Sequence, residues 1–154
     1  MAISVAVDMT RNFSVPADCD KVFSVLSDVP VSAGHFPKVD KLTDLGGNAF
    51  RWEMEKVGID KYSIQTIYAS RYVSDKKAGT VSWTPVAGEG NASVEGSWTI
   101  KSQGSGTSIQ LRVKGTLTVP LPALAKIVVA PVARREFESM VDKYVENLKK
   151  TFAS

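Results

Sequence analysis

The stretch Ile109-Gln-Leu-Arg-Val-Lys-Gly-Thr-Leu-Thr-Val119 decides the fold, together with Pro120-Leu-Pro122 and the helical pattern that comes after it. Ile109, Leu111, Val113, Leu117 and Val119 alternate with polar residues and Gly115, the period of a half-buried strand. The two prolines end that strand. Beyond them Phe137, Met140, Val141, Tyr144, Leu148 and Phe152 recur at spacings of three and four. That is one apolar stripe on a long amphipathic helix. A break or restart is expected at Pro131, because an interior proline loses a hydrogen bond and clashes with the preceding turn.

Working back from this strand and helix, the chain reads as a run of strands. Phe50, Trp52 and Met54 alternate with Arg51, Glu53 and Glu55. Gly58–Lys61 reads as a turn, 62–73 as one long strand, 81–86 and 94–101 as two more. Val39–Leu45 is a further, weaker strand. Gly88-Glu89-Gly90 and Gly104-Ser105-Gly106 read as hairpin turns, since neither precedes a helix and no Gly-Lys-Ser/Thr comes next. At the front, Ile3, Val5, Val7 and Met9 alternate with small or polar residues, and the strand continues through Phe13 and Val15. A short helix starts after Pro16, with Asp18 and Asp20 near its positive end. Asp28-Val29-Pro30 is expected to end it, leaving an irregular piece up to Pro37.

Strands joined by short turns form an antiparallel meander, and helices segregated from them indicate α+β. The expectation is a curved antiparallel sheet of about seven strands around a long C-terminal helix, with one or two short helices after the first strand. One helix about 10 Å wide cannot fill the concave face of such a sheet. The space left is a cavity, and apolar cavities hold small ligands.

The length of 154 residues fits one domain, 1–154. The formal charge is +3, without a basic cluster interleaved with aromatics, so no nucleic acid is expected as partner. Cys19 is the only cysteine, which excludes an internal disulfide. His35 and Cys19 lie far apart and match no metal spacing, so neither metal nor cofactor is expected. The start, Met1 to Asp8, lacks the basic residues of a signal peptide, and no uninterrupted apolar span is long enough for a membrane. A cytoplasmic protein is expected.

Four strings carry a family resemblance. They are Phe13-Ser14-Val15-Pro16-Ala17 leading into Val22 to Asp28, His35-Phe36-Pro37-Lys38-Val39 with Leu42, Gly106-Thr107-Ser108-Ile109, and the closing helix from Phe137 to Phe152. In this order they resemble the START-like (SRPBCC) superfamily, in its polyketide cyclase/dehydrase and lipid-transport-like branch. The resemblance implies the helix-grip fold and a cavity for a hydrophobic or amphipathic molecule such as a lipid, isoprenoid or aromatic polyketide.

The residues expected to face that cavity are Phe36, Phe50, Trp52, Met54, Trp83, Trp98, Leu111, Val113, Phe137, Met140 and Tyr144. Buried Trp and Tyr need hydrogen-bond partners, which a ligand can supply or the core itself can. Tyr144 and Thr66 are the polar groups expected to orient a ligand. The inward face of 62–73 stays open between Ile64, Thr66, Tyr68 and Tyr72 on one side and Ile67, Ala69 and Val73 on the other.

Catalysis has thin support. His35 is the candidate for proton transfer, and Cys19 sits where a helix dipole lowers a thiol pKa. Glu53 and Glu55, like Arg112 and Lys114, fall on the face opposite the apolar one and read as solvated. Three functions remain: a binding protein without turnover, a cyclase/aromatase using the same cavity, and an assembly protein. The last would touch a membrane or partner through the apolar segment 119–133.

Overall fold

The computed structural model describes residues 2–153, so the terminal residues of the expected 1–154 domain, Met1 and Ser154, lie outside the described residues. The order is β1 (Ile3–Val15), α1 (Cys19–Leu26), α2 (Val29–Ala33), β2 (Val39–Gly46), β3 (Ala49–Met54), β4 (Val57–Ile59), β5 (Tyr62–Ile64), β6 (Ile67–Asp75), β7 (Thr80–Pro85), β8 (Ala92–Gln103), β9 (Gly106–Val119), a 3-10 turn (Ala123–Ala125) and α3 (Lys126–Thr151). The class is α+β. Seven strands form one antiparallel sheet in the order β1-β9-β8-β7-β6-β3-β2, and β4 and β5 pair separately.

The first strand lies beside the last, in register from Ile3 opposite Val119 to Val15 opposite Thr107. The alternation on both strands sets this, since a one-residue slip would turn every apolar side chain to water. The long helix α3 crosses the concave face, burying Val141, Tyr144, Val145 and Leu148. Arg134 holds it to the sheet edge, its Nε donating to the Ala6 carbonyl at 2.8 Å. Arg11 and Asp142 add an ion pair at 2.6 Å.

Three expectations need correction. The first helix ends just before Asp28-Val29-Pro30 as expected, but these residues open α2 in place of the expected irregular piece. The Asp28 side chain accepts from the Val31 N–H at 3.3 Å, and Pro30 lies in the first turn, where no N–H is needed. Nor does α3 restart at Pro131. The helix runs through it, because only the bond to the Ile127 carbonyl is lost, and that turn lies on an exposed face, Ile127 being 75% exposed.

The expected strand 62–73 is two strands. The Asn91 side chain inserts at the break, its Oδ1 accepting from Ile67 N at 2.8 Å and its Nδ2 donating to Gln65 O at 2.7 Å. These bonds replace the ladder, and β5 leaves the main sheet with β4. Gly90 makes this approach feasible: a Cβ there would lie 2.2 Å from the Ile67 carbonyl oxygen. The turn before β5 is correspondingly tighter than 58–61, only Asp60 and Lys61 lying outside the strands.

Two apolar clusters result. The larger lies between the sheet, α1, α2 and the C-terminal half of α3. The smaller joins Ile59 and Ile64 of the β4–β5 hairpin to Ala125 and Val129 where α3 begins, with Ile3 and Val119 beneath.

Candidate functional site

The concave side of the sheet holds two adjoining chambers. The outer, about 80 Å³, lies between the β4–β5 hairpin, β1, β9 and α3, with Ile59, Ile64, Val7, Leu117, Ala133 and Met140 in its walls. The inner, about 50 Å³, is walled by Trp52, Trp83, Trp98, Tyr72 and Tyr144. Phe36, Tyr68, Val94 and Phe137 line both, and so form the partition.

The aromatic walls hold each other in place. Trp52 stacks on Tyr68 with centroids 5.8 Å apart and planes 10° apart, and its indole N–H donates to the Tyr72 hydroxyl at 3.0 Å. The Trp83 ring lies over Gly96, where a Cβ would come within 2.7 Å of it. Phe36 sits 4.9 Å from Tyr144 and 5.8 Å from Trp52, edge-on to the latter.

Few polar groups reach this space. The Tyr144 hydroxyl shares a short hydrogen bond with the buried Ser32 hydroxyl of α2. Burial pushes the Tyr144 pKa up to about 12, with the Ser32 and Trp98 side chains acting in the opposite direction. Tyr72 is raised further, chiefly by burial. Tyr68 is raised well above the ordinary range, again by burial first and then by Tyr72 and Tyr144. Among the described residues the Tyr68 hydroxyl has no hydrogen-bond partner and keeps some accessible surface, whereas Thr43 Oγ1 is fully enclosed without one. Glu136, at the edge of the outer chamber, accepts from Lys38 Nζ at 2.5 Å and holds that ammonium above its usual pKa.

Of the residues expected at a cavity, Phe36 and Phe137 border both chambers, and Met54 and Met140 the outer. Trp52, Trp83, Trp98, Leu111, Val113 and Tyr144 border the inner. Phe50 lies outside both, in a surface groove beside Pro30 and Ser74, packed edge-on to Tyr72 at 6.0 Å. The open question about 62–73 resolves to Ile64, Thr66, Tyr68 and Tyr72 facing inward, while Val73 is exposed.

His35 faces away from the chambers. Its Nε2 lies 2.8 Å from Thr151 Oγ1 and its Nδ1 3.0 Å from the Val31 carbonyl, while its own carbonyl accepts from Asn147. Cys19 borders a shallow groove at the α1 start, 3.6 Å from Thr107 Oγ1. Glu53 and Glu89 flank Arg51, at 3.6 and 2.9 Å. Glu55, Arg112 and Lys114 are exposed. No group of three or more metal-ligating side chains occurs among the described residues. No helix among them is long and apolar enough to cross a membrane. In the segment 119–133, Ala125, Val129 and Ala130 are buried, whereas Leu124, Ile127 and Val128 are exposed.

Sequence reasoning missed Ile59, Val7, Leu117 and Ala133. Val7 and Leu117 were legible as inward positions of alternating strands. Ile59 was not, because the separate β4–β5 hairpin arises from contacts of Asn91, far along the chain.

Residues 6–153 match the family described as polyketide cyclase / dehydrase and lipid transport. No curated protein sequence matches the chain. Among solved structures, a conserved protein from Geobacillus kaustophilus is 12% identical, with a TM-score of 0.69 and 96% and 95% of the two chains covered. A START superfamily protein from Mycobacterium smegmatis is 15% identical, with a TM-score of 0.65 and 94% and 96% covered. The Zhui aromatase/cyclase from a Streptomyces species is 16% identical, with a TM-score of 0.62 and 96% and 92% covered. These likenesses establish the helix-grip fold.

Proposed function

Because the chain belongs to the polyketide cyclase / dehydrase and lipid transport family, we propose that residues 1–154 act as one domain that takes up a small hydrophobic molecule between sheet and α3. The observation that carries this reading is the pair of adjoining apolar chambers inside the core. Each Å² of apolar ligand surface buried there contributes about 25 cal/mol. The Met140 side chain, unbranched and adaptable, and the loop carrying Phe36 are the parts that yield to a larger guest.

The chemistry favours capture over turnover. Tyrosines whose pKa is raised by burial stay protonated, so Tyr68, Tyr72 and Tyr144 donate hydrogen bonds and do not remove protons. The carboxylate nearest the space, Glu136, is engaged by Lys38. A lipid, isoprenoid or aromatic polyketide all suit these walls.

Native mass spectrometry of the protein from its own host, followed by denaturing extraction, tests the reading. A stoichiometric apolar molecule is expected, and its occupancy should fall in Ala133→Phe, which fills the outer chamber. An empty protein that also ignores a screen of lipids and aromatic compounds would refute it.

A second reading, transient contact with a membrane or protein through 119–133, has one observation in its favour. Leu124 and Ile127 are 81% and 75% exposed. Replacing both by Asp should abolish such contact and leave ligand capture intact; unchanged association would count against it.

A further inference from the structure

The two chambers differ in what they present. Trp52, Trp83, Trp98 and Tyr72 give the inner one flat aromatic walls. Ile59, Ile64, Val7, Leu117 and Met140 give the outer one aliphatic walls. A ring packs best on the first and a flexible chain on the second, since aromatic pairs gain from stacked and edge-on contacts beyond area alone.

Tyr68 stands where the chambers meet, lining both. The residue is only 7% exposed, yet its hydroxyl, which keeps some accessible surface inside the chamber, has no partner among the described residues. Of the other two cavity tyrosines, the Tyr72 oxygen accepts from the Trp52 indole and the Tyr144 hydroxyl shares its bond with Ser32. A hydroxyl that opens into an apolar chamber without a protein partner gains a hydrogen bond when a bound acceptor reaches it. The ring is fixed by its stack on Trp52, which Tyr72 holds in turn, so the hydroxyl is positioned before any guest arrives.

Charge narrows the guest further. Among the described residues the one charged group bordering the chambers is Glu136, and no cation lines either. A carboxylate or phosphate inside would have no counter-charge and would be strongly disfavoured.

We propose that the ligand is uncharged, with a ring in the inner chamber, an aliphatic part in the outer, and between them a ketone, ether or hydroxyl oxygen that accepts a hydrogen bond from Tyr68. This rests on the cavity reading above and specifies its chemistry. The raised pKa keeps the Tyr68 hydroxyl protonated, and so a donor, through the neutral and mildly alkaline range.

The test compares three probes by NMR titration on the wild type and on Tyr68→Phe. Butyrophenone has a phenyl ring, one ketone and a short chain; butylbenzene lacks the oxygen; phenylbutanoate carries a charge. Butyrophenone should bind the wild type about five- to tenfold more tightly than Tyr68→Phe, the worth of one neutral hydrogen bond. Butylbenzene should bind both proteins alike, and phenylbutanoate should be the weakest of the three. Unliganded Tyr68→Phe should melt at or above the wild-type temperature, because the hydroxyl it lacks had no partner. Equal butyrophenone affinity for both proteins, tighter phenylbutanoate binding, or a lower melting temperature for unliganded Tyr68→Phe would overturn the inference while the cavity reading stands. Failure of both neutral probes to bind either protein would overturn the cavity reading, and this inference with it.

Discussion

The Tyr144 hydroxyl on α3 meets the Ser32 hydroxyl on α2, joining residues 112 positions apart in the chain. Both side chains are buried, so the pair closes the inner chamber on the side of the short helices. Tyr144→Phe leaves the Ser32 hydroxyl without its partner and should cost about 1–2 kcal/mol. Ser32→Ala should cost a similar amount, and the double variant less than the two together. Urea denaturation of all four proteins measures this; strictly additive losses would show that the bond contributes nothing.

Alkaline stability is governed by the tyrosines. Their folded pKa values lie above the unfolded value of about 10, with Tyr144 at about 12 and Tyr68 and Tyr72 raised as well. For a raised pKa, stability is at its full value below the unfolded pKa and is lost as pH rises towards the folded one. Between about pH 10 and 12 each such group should remove about 1.4 kcal/mol per pH unit. Denaturation across this window should show a steep decline, shallower in Tyr144→Phe. A flat profile up to about pH 12 would mean that the hydroxyls ionise freely in the fold.

Pro131 interrupts the α3 ladder at the Ile127 carbonyl on an exposed face. Pro131→Ala restores the bond and a better helix former, offset in part by a more flexible unfolded chain. The net expectation is a gain of about 1–2 kcal/mol. Thermal unfolding decides it, and a loss of stability would show that the ring itself packs usefully.

His35 ties the loop after α2 to the end of α3 through Thr151. His35→Ala should lower stability by about 1 kcal/mol and leave ligand affinity unchanged. Loss of binding from a folded His35→Ala protein would bring the histidine back as a site residue.

Gly96 lets the Trp83 ring lie against β8. A Cβ there would sit 2.3 Å from the Arg112 carbonyl oxygen and 2.7 Å from Trp83 Cζ2. Gly96→Ala must displace backbone as well as indole, and overpacking of this kind costs about 1–3 kcal/mol. Its near-ultraviolet circular dichroism should change, since a tryptophan moves; an unaltered spectrum and melting temperature would show that the sheet bends to accept the methyl.

How far the sequence could be read depended on how local the cause was. Trp52 and Met54 were legible as inward residues because alternation on one strand is a local rule, and the stripe from Phe137 to Phe152 announced its helix in the same way. Phe50 obeys the same alternation, yet it lies past the rim of the chamber, and how far a strand reaches beyond the helix is not written in its period. The break at Gln65 and Thr66 was invisible for a related reason. Ile64, Thr66 and Tyr68 keep facing inward across it, so the side-chain pattern continues although β5 leaves the main sheet.

By itself the sequence determined the α+β class, the antiparallel meander, the long helix laid across it and the apolar character of the space between, because each arises from side-chain periodicity and turn residues within a few positions. Tertiary structure alone decided that this space is two chambers with Phe36 and Phe137 between them, that Asn91 splits β5 from β6, that His35 faces Thr151, and that the Tyr68 hydroxyl is left without a partner. Those outcomes depend on which distant groups meet, and a hydrogen bond, a partition or an unsatisfied donor exists only once two separate parts of the chain have been brought together.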